Sequence, residues 1–550
     1  MELTTRPDVV VIGSGAGGAA VAWRLVSEGA QVLLLEAGPR FDPATDYALT
    51  DPDWERHRFP EKPGSMATIL FDDLGPVPEA DDLPRSENVV WGALTSGAQR
   101  KAAGQGVAHV QAFGGTTLRF VGEAHRLHPD AFRLQSLTGQ GADWPLTYQD
   151  LESYYALCEN LIGVAGPISD SSAAPFPLLP HPLSPGAERL AAAGARLGQS
   201  WQANSRSALS VPYDDRPACN YCGNCSRGCP IGDKGSADVT FLRHAERTGR
   251  LQVLTDCQAT RIETGPNGNA TAVYCVIAGQ QHRIETPILV LACGAVQTPR
   301  LLLASASTEH PNGLANGSDQ LGRNFLETLF WNATGLAPNL KNSHMGLPAD
   351  AVCWDYAKPT SGLHVAGGYR LSHATQEIGF VGPIAYGTRL IPGSGAQFQA
   401  RLRQAFGSAV TVAAMGETIG DPRSALRLSA DQSDAAGMPL PVLSSVLTEN
   451  SLNLLREMSK TGRAVLREAG VAQILEESTN ADRFYSTHVY GTCRMAADAK
   501  DGVVDQSGRS FDIGNLYIAD ASVFPSTGGG EAPSLTINAI GVRTADAILA

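Results

Sequence analysis

The stretch from residue 8 to residue 37 constrains this chain more than any other. It reads DVVVIG, SGAGG, AAVAWRLVSEGA, QVLLLEAG: an apolar run, a glycine-rich turn, a helix-period segment stopping at Gly29, and a second apolar run. That order predicts one compact strand-turn-helix-strand unit. Gly13, Gly15 and Gly18 form GxGxxG directly between strand and helix, and Glu36 ends the second strand about 20 residues on. Gly13 permits the tight turn, Gly15 lets the backbone approach a pyrophosphate, and Gly18 lets helix and strand pack closely. Phosphates would meet the positive helix N-terminus, and the Glu36 carboxylate would accept hydrogen bonds from a ribose diol. A carboxylate there repels a 2′-phosphate, so the expected nucleotide is FAD- or NAD-like rather than NADP-like. The plainer alternative is a glycine-rich turn without a ligand, which the strand-turn-helix context disfavours.

Length and charge narrow the rest. At 550 residues the chain exceeds the ~150 residues of one typical domain several-fold. With 43% hydrophobic and 18% charged residues it is globular in composition. A net charge of −13 without a long basic run argues against nucleic acid or an anionic membrane as a partner. Nowhere do roughly 18 apolar residues follow one another, so no transmembrane segment is expected. Met1 to Asp8 lacks a basic flank, and Val9 to Ile12 is short for a signal peptide, so the expected localisation is cytoplasmic.

Further along, Pro39 to Pro84 loses periodicity and reads as loops around short elements, and Pro167 to Pro185 reads as a linker. TPILVLACGAVQTPRLLLAS (286 to 305) predicts a second buried strand followed by a helix. Between about Phe330 and Asp482, strand-like runs such as AVTVAAMGE alternate with turns, and a helix is expected around Leu452 to Ala469. Strand signals return at NLYIADASV (515 to 523), and a helix closes the chain from about Leu535 to Leu549.

STHVYGTCRM (486 to 495), NLYIADASVFPS (515 to 526) and EAPSLTINAIGVRTADAIL (531 to 549) together resemble the C-terminal signature of the glucose-methanol-choline (GMC) flavoprotein oxidoreductases. FGGTTLRFVG (113 to 122) is similar to the family's flavin-contacting loop, ADWPLTYQDLESYY (142 to 155) to its Trp-Pro segment, and LVLACGAVQTPRLL (289 to 302) to its second dinucleotide-side unit; DAAGMP (434 to 439) is also family-like. The likeness is weakest over 39 to 84 and 330 to 430. It implies an α/β protein: a Rossmann-like FAD-binding domain from residues 1–330 and 481–550, with an inserted α+β substrate domain over 331–480.

The same resemblance implies site roles. His488 matches the active-site histidine that takes the proton of a substrate hydroxyl while hydride goes to flavin N5. Gly114, Gly115, Thr116, Asp520, Pro533, Ser534 and Leu535 match cofactor-binding positions. The closing helix would point its N-terminus at the flavin, which favours the anionic reduced ring by about 0.5–2 kcal/mol. The second His or Asn of the family falls on Ala532. Glu531 is the expected replacement, and its carboxylate in the pocket would raise the His488 pKa and move the pH optimum upward. A loop carboxylate without that role is the alternative. Asn538, inside the helix, is a poorer substitute. His125 and His128 lie close enough in sequence to the flavin loop to approach it, and Arg119, inside that loop, is placed either to contact flavin or phosphate or to stand at the surface.

Four of the ten cysteines crowd into CNYCGNCSRGCP (219 to 230). The CxxCxxCxxxCP spacing matches bacterial ferredoxin segments. Cys219, Cys225 and Cys229 resemble the ligands of a 3Fe-4S cluster in iron-sulfur FAD sugar dehydrogenases, and Cys222 leaves a 4Fe-4S cluster open. Three other readings also stand. Long-chain alcohol oxidases of the family have a similar loop followed by text like GDKGSADVTFL (232 to 242), with no need for a cluster; zinc and disulfides are the others. Cys293 and Cys493 read as small buried side chains.

The expected function is FAD-dependent oxidation of a CH–OH group of an alcohol, sugar or polyol, with electrons leaving through an iron-sulfur cluster to an acceptor protein or small partner subunit. A signal-bearing partner would allow a periplasmic location. Without a cluster the alternative is an oxygen-using oxidase of long-chain or sterol alcohols. A reading from another class is an electron-transfer or assembly subunit with a decayed site.

Overall fold

The computed structural model describes residues 6–47, 71–72, 101–102, 107, 109–168, 175–358, 365–480 and 486–550. Most of the loop stretch expected over 39–84, and residues 169–174 of the expected linker, lie outside the described residues.

The first core forms around a five-stranded parallel sheet. Val9–Ile12 lies at its centre, flanked by Val32–Leu35 and Leu289–Leu291, with Leu251–Leu254 and Leu516–Ile518 at the edges. Every residue of the three inner strands is buried. That is why these strands read as unbroken apolar runs: helices and loops cover both faces, so neither face needs polar alternation. The helix Ala16–Ser27 links the first two strands, and the closing helix Ser534–Leu549 packs beside it. The sheet thus draws on both ends of the chain, which makes this body discontinuous in sequence.

A second core forms under a six-stranded antiparallel sheet. Its order is Ile474–Thr479, Leu329–Leu336, Ala409–Gly416, Tyr369–His373, Ala351–Cys353 and Trp201–Ala203. The helix Glu449–Glu468, capped by the Thr448 hydroxyl on the Ser451 N–H, lays Leu452, Leu455, Met458 and Leu466 against Trp331, Val410 and Val412. Within this core Arg463 and Glu477 pair at 2.6 Å, and the Trp331 indole N–H adds a bond to Glu477 at 2.7 Å. Buried charges persist only when paired in this way.

The boundary expected at 331–480 is not how these segments pack. Helix Pro185–Arg196 and strand Trp201–Ala203 join the second core. The hairpin Ala425–Ser433 with Pro439–Ser444 instead puts Leu426 and Leu443 against Ala295 and Val296 of the helix Gly294–Ala304. A three-residue strand carries no readable alternation, so its long-range partner is invisible in sequence. No described helix is long and apolar enough to cross a membrane.

Candidate active site

A cavity of about 580 Å³ runs between the two cores. At one end lie Gly13, Gly15 and Glu36; at the other, Glu123, Glu377, Met415 and His488; Gly115, Thr116, Arg119 and Asp520 lie on the wall as well.

The nucleotide end is built by close backbone approach. Gly13 has φ +97°, and a Cβ there would lie 2.4 Å from the Ala292 carbonyl oxygen. Gly18 leaves the wall to pack on the turn, where a Cβ would sit 1.9 Å from the Gly13 oxygen. Gly115, with φ +59°, comes so close to Gly15 that its Cβ would stand 2.7 Å from the Gly15 Cα. The two glycine loops are tied together by Ser14. Its hydroxyl donates to Glu36 Oε2 at 2.5 Å and accepts the Gly114 N–H at 3.0 Å. Glu36 also accepts the Ser14 and Gly38 N–H groups, each at 3.0 Å; burial nonetheless pushes its carboxyl pKa up. Asp520 lies on the wall with its oxygens engaged by Ser522 N–H (2.8 Å), Gly294 N–H (2.9 Å) and the Thr298 hydroxyl (2.6 Å), so it fixes the turn into the Gly294–Ala304 helix.

The closing helix opens at the cavity: Pro533, Ser534 and Ile537 line it, while Leu535 turns into the core at 1% exposure. The helix N-terminus brings unpaired N–H groups and a partial positive charge to that wall.

His488 lines the same cavity. Its backbone is held by Thr328 N–H at 3.1 Å and the Ser486 hydroxyl at 3.0 Å, both donating to the His488 carbonyl. Burial lowers the imidazole pKa to about 4, Glu123 pulls it back up and Arg370 pushes it further down. At neutral pH His488 is therefore an uncharged base.

Glu531 is placed elsewhere. Its Oε1 accepts the His128 N–H at 3.0 Å, and it is absent from the cavity wall, where its neighbour Ala532 stands instead. The carboxylate acting on His488 is Glu123, so the expected upward shift of the histidine does not arise from Glu531. The Glu531 carboxyl lies near Glu417, and burial together with this neighbour pushes Glu417 up to about 8.

Four segments close a ring behind Ala532. The Ala532 N–H donates to His125 Nδ1 at 2.9 Å, so the ring proton sits on Nε2 and donates to Asn204 Oδ1 at 2.7 Å. Asn204 Nδ2 donates to Glu123 Oε1 at 2.7 Å, and Arg370 bridges Glu123 Oε2 (2.7 Å) to the Gly530 carbonyl (2.6 Å). Burial lowers the His125 pKa to about 4. Burial works to raise Glu123, but the charges facing it, Arg370 foremost, hold it down to about 2. The glycine-rich loop fits because a Cβ at Gly530 would lie 2.2 Å from the Met415 oxygen. His125 and His128 thus bond to the loop before the closing helix, a different loop from the Gly-Gly segment they were expected to approach. Asn204, Arg370, Glu377 and Met415 carry no local motif, and the sequence gives no sign of them; Glu123 had only its place after the flavin loop.

In the cysteine loop Cys229 Sγ donates to Asp233 Oδ1 at 2.7 Å, and burial raises its thiol to about 12. Burial also raises Cys219 and Cys225. None of the ten cysteines is in a disulfide. Among the described residues no three His, Cys, Asp or Glu side chains are spaced to hold one metal ion. Lys234 packs beneath, donating to the carbonyls of Leu118 (2.9 Å), Phe120 (2.9 Å) and Cys225 (2.7 Å).

Comparison with known proteins agrees with this architecture. Models of the GMC oxidoreductase family match residues 182–329 and 421–541, and an NAD(P)-binding Rossmann-like model matches 11–51. The chain is 28% identical to the fructose dehydrogenase large subunit of Gluconobacter japonicus, covering 99% of this chain and 98% of that one. It is 29% identical to 6'''-hydroxyparomomycin C oxidase of Streptomyces lividus, over 98% of this chain and 91% of the relative. Its fold is similar to that of pyridoxine 4-oxidase from Mesorbium loti, with a TM-score of 0.65 at 18% identity, over 98% of this chain and 99% of the other. With both halves of the family matched, and with the glycine turns and the HxxGT histidine meeting on one cavity, the chain belongs to the GMC oxidoreductases and is an FAD-dependent alcohol or sugar oxidoreductase.

Proposed function

We propose that this enzyme oxidises a CH–OH group of a sugar or polyol, with His488 as the general base. One observation carries the reading: an imidazole kept neutral by burial lines the same cavity as the closing helix N-terminus and as Gly13, Gly15 and Glu36. The cavity fits FAD, because the close-packed glycines leave backbone free to meet phosphates and Glu36 stands where a ribose diol needs an acceptor. The first core would hold FAD, chiefly through Gly13, Gly15, Glu36, Gly115, Thr116, Asp520, Pro533 and Ser534, and the second sheet would face the substrate. Bound FAD supplies the hydride acceptor. His488 takes the hydroxyl proton at its ring nitrogen, and the helix N-terminus stabilises negative charge on that wall by about 0.5–2 kcal/mol. Ala532 contributes no polar group, so the ring through His125, Asn204, Glu123 and Arg370 holds the backbone there.

The sugar or polyol class is supported by the two sequence relatives, named for fructose and hydroxyparomomycin oxidation. One of them is a large subunit, which supports a small partner subunit here and, if that partner carries an export signal, a periplasmic location. The cysteine loop does not fit an iron-sulfur cluster, because among the described residues no three His, Cys, Asp or Glu side chains are spaced to hold a metal and Cys229 is committed to Asp233. No electron step is routed through it. Iron and acid-labile sulfide assays on anaerobically purified protein check this, and stoichiometric iron with sulfide would restore the cluster. The reading itself is tested by anaerobic mixing with a sugar and polyol panel: substrate bleaches the flavin, and His488→Ala slows bleaching by about 10² to 10⁴. Wild-type bleaching rates in that variant would dismiss His488 as the base.

A further inference from the structure

Glu377 has no role in the chemistry above, yet it stands on the cavity wall with His488 and Glu123. It follows the strand Tyr369–His373 in a turn that buried bonds hold rigidly. His373 Nδ1 meets Asp350 at 2.7 Å and its Nε2 meets the Thr375 hydroxyl at 2.8 Å. The Gln376 amide donates to the carbonyls of Ser343 (3.0 Å) and Met345 (2.7 Å). The Ile378 N–H donates to the Ala374 carbonyl at 3.1 Å, so the backbone is held on both sides of Glu377.

The two carboxylates at this end differ in one respect. Glu123 is fully engaged by Arg370 and Asn204. Glu377 has no hydrogen-bond donor among the described residues, although Arg370 and Arg206 act on it from a distance. Glu377 is half-buried and opens onto the cavity, so a bound ligand can supply the donors that the protein does not. The surrounding charge decides what that ligand is. Arg370 and Arg206 behind the wall, with Arg119 on it, offset Glu123 and Glu377, so an ammonium group would enter a site with no net attraction. Hydroxyls face no such penalty, and two adjacent ones match the two carboxylate oxygens.

We propose that Glu377 is the specificity residue of this site, accepting hydrogen bonds from two neighbouring hydroxyls of the substrate and so selecting a vicinal diol of a sugar or polyol over a simple alcohol. The inference rests on the reading that this cavity oxidises a CH–OH group. Burial and Glu123 raise the Glu377 carboxyl to about 7, so its accepting form is lost as pH falls through neutrality. His488, lowered to about 4 on the same wall, stays neutral over that range. Diol binding and base function therefore separate by pH.

The test compares 1,2-propanediol with 1-propanol and 1,2-hexanediol with 1-hexanol on the FAD-loaded enzyme, as KM where a compound is oxidised and as Ki where it is not. A titration of the oxidised enzyme with each diol, followed by visible absorbance, gives Kd independently. In the wild type the diol of each pair is preferred, and its KM or Ki rises below pH 7 while that of the mono-ol stays level. Glu377→Ala weakens the diols by about 10- to 100-fold and leaves the mono-ols within about threefold. Glu377→Gln, which keeps shape and removes charge, abolishes the pH dependence. Equal losses for both members of each pair, or a wild-type diol KM flat from pH 6 to 8, would overturn the proposal even if the alanine variant folds poorly. A tenfold preference for 1-amino-2-propanol over 1,2-propanediol would overturn the choice of hydroxyls. Failure of every alcohol and sugar to bleach the flavin would instead sink the underlying reading.

Discussion

Replacing His125 by Phe tests whether the ring behind Ala532 holds the active-site loop. Phe keeps the ring volume and the edge-on contact with Trp354, whose centroid lies 4.9 Å away. It removes one acceptor and one donor, leaving the Ala532 N–H and Asn204 Oδ1 without partners where Ala532 is 4% and Asn204 1% exposed. Each buried group left unpaired costs about 1–3 kcal/mol, so the expected loss for the two is about 2–6 kcal/mol. Unfolding entropy of about 2.1 cal/mol/K per residue over 550 residues gives on the order of 1.2 kcal/mol/K, so Tm should drop by about 2–5 °C. A second readout separates this from generic damage. The His125 pKa is depressed to about 4 by burial, below its ordinary unfolded value of 6.5. The unfolded chain then takes up a proton that the folded one refuses, so this contribution is whole above pH 6.5 and is lost as pH falls toward 4, by on the order of 3 kcal/mol. The Phe variant should lack that part of the acid sensitivity, and His125→Gln, which can both accept and donate, should recover part of the Tm. The reasoning is refuted by a Tm within 0.5 °C of wild type, on the order of measurement error, or by an unchanged slope of Tm against pH between 6.5 and 4.

The remaining tests address other parts of the cavity. The kcat profile should fall only as pH drops through about 4, where buried His488 becomes protonated, and Glu531→Gln should leave that limb in place; a limb near pH 6.5 would remove the burial argument. Gly115→Ala would set a Cβ 2.7 Å from the Gly15 Cα, so flavin content after purification should drop and FAD affinity weaken by about tenfold or more, about 1.4 kcal/mol; full flavin content would contradict the close-approach reading. Burial and Glu531 raise Glu417 to about 8, so the folded state holds a proton that the unfolded chain releases, and stability from this group is lost as pH rises from about 4.5 through 8. Glu417→Gln should flatten Tm over that range, and a slope equal to wild type would mean the carboxyl is not buried as described.

What the sequence disclosed and what it withheld divide along physical lines. The 8–37 unit was legible because its signals are local: apolar runs, a glycine turn and a carboxylate at fixed spacing specify strand, phosphate turn and ribose site without help from the rest of the chain. The long helix at 449–468 was legible for the same reason, its apolar positions recurring at helical period. His488 was found because its motif is contiguous, and the structure puts it on the cavity wall. Glu531 shows where such reading stops. Spacing located the right loop, but successive residues of an extended segment project to opposite sides, and it is Ala532 that faces the cavity while Glu531 turns back to His128.

The substrate end was withheld for a different reason. Glu123, Asn204, Arg370 and Gly530 come from four separate segments, and only folding brings them within hydrogen-bond reach of one another. Arg370 sits on a strand of the second sheet, yet one of its bonds goes to the loop that leads into the closing helix of the first core. The two cores are therefore joined electrostatically beside the cavity. Truncating Arg370 would leave Glu123 buried with one oxygen unpaired, a worse state than losing the pair outright. The nucleotide end can thus be read from one local unit, while the end that chooses the substrate depends on side chains whose partners are hundreds of residues away.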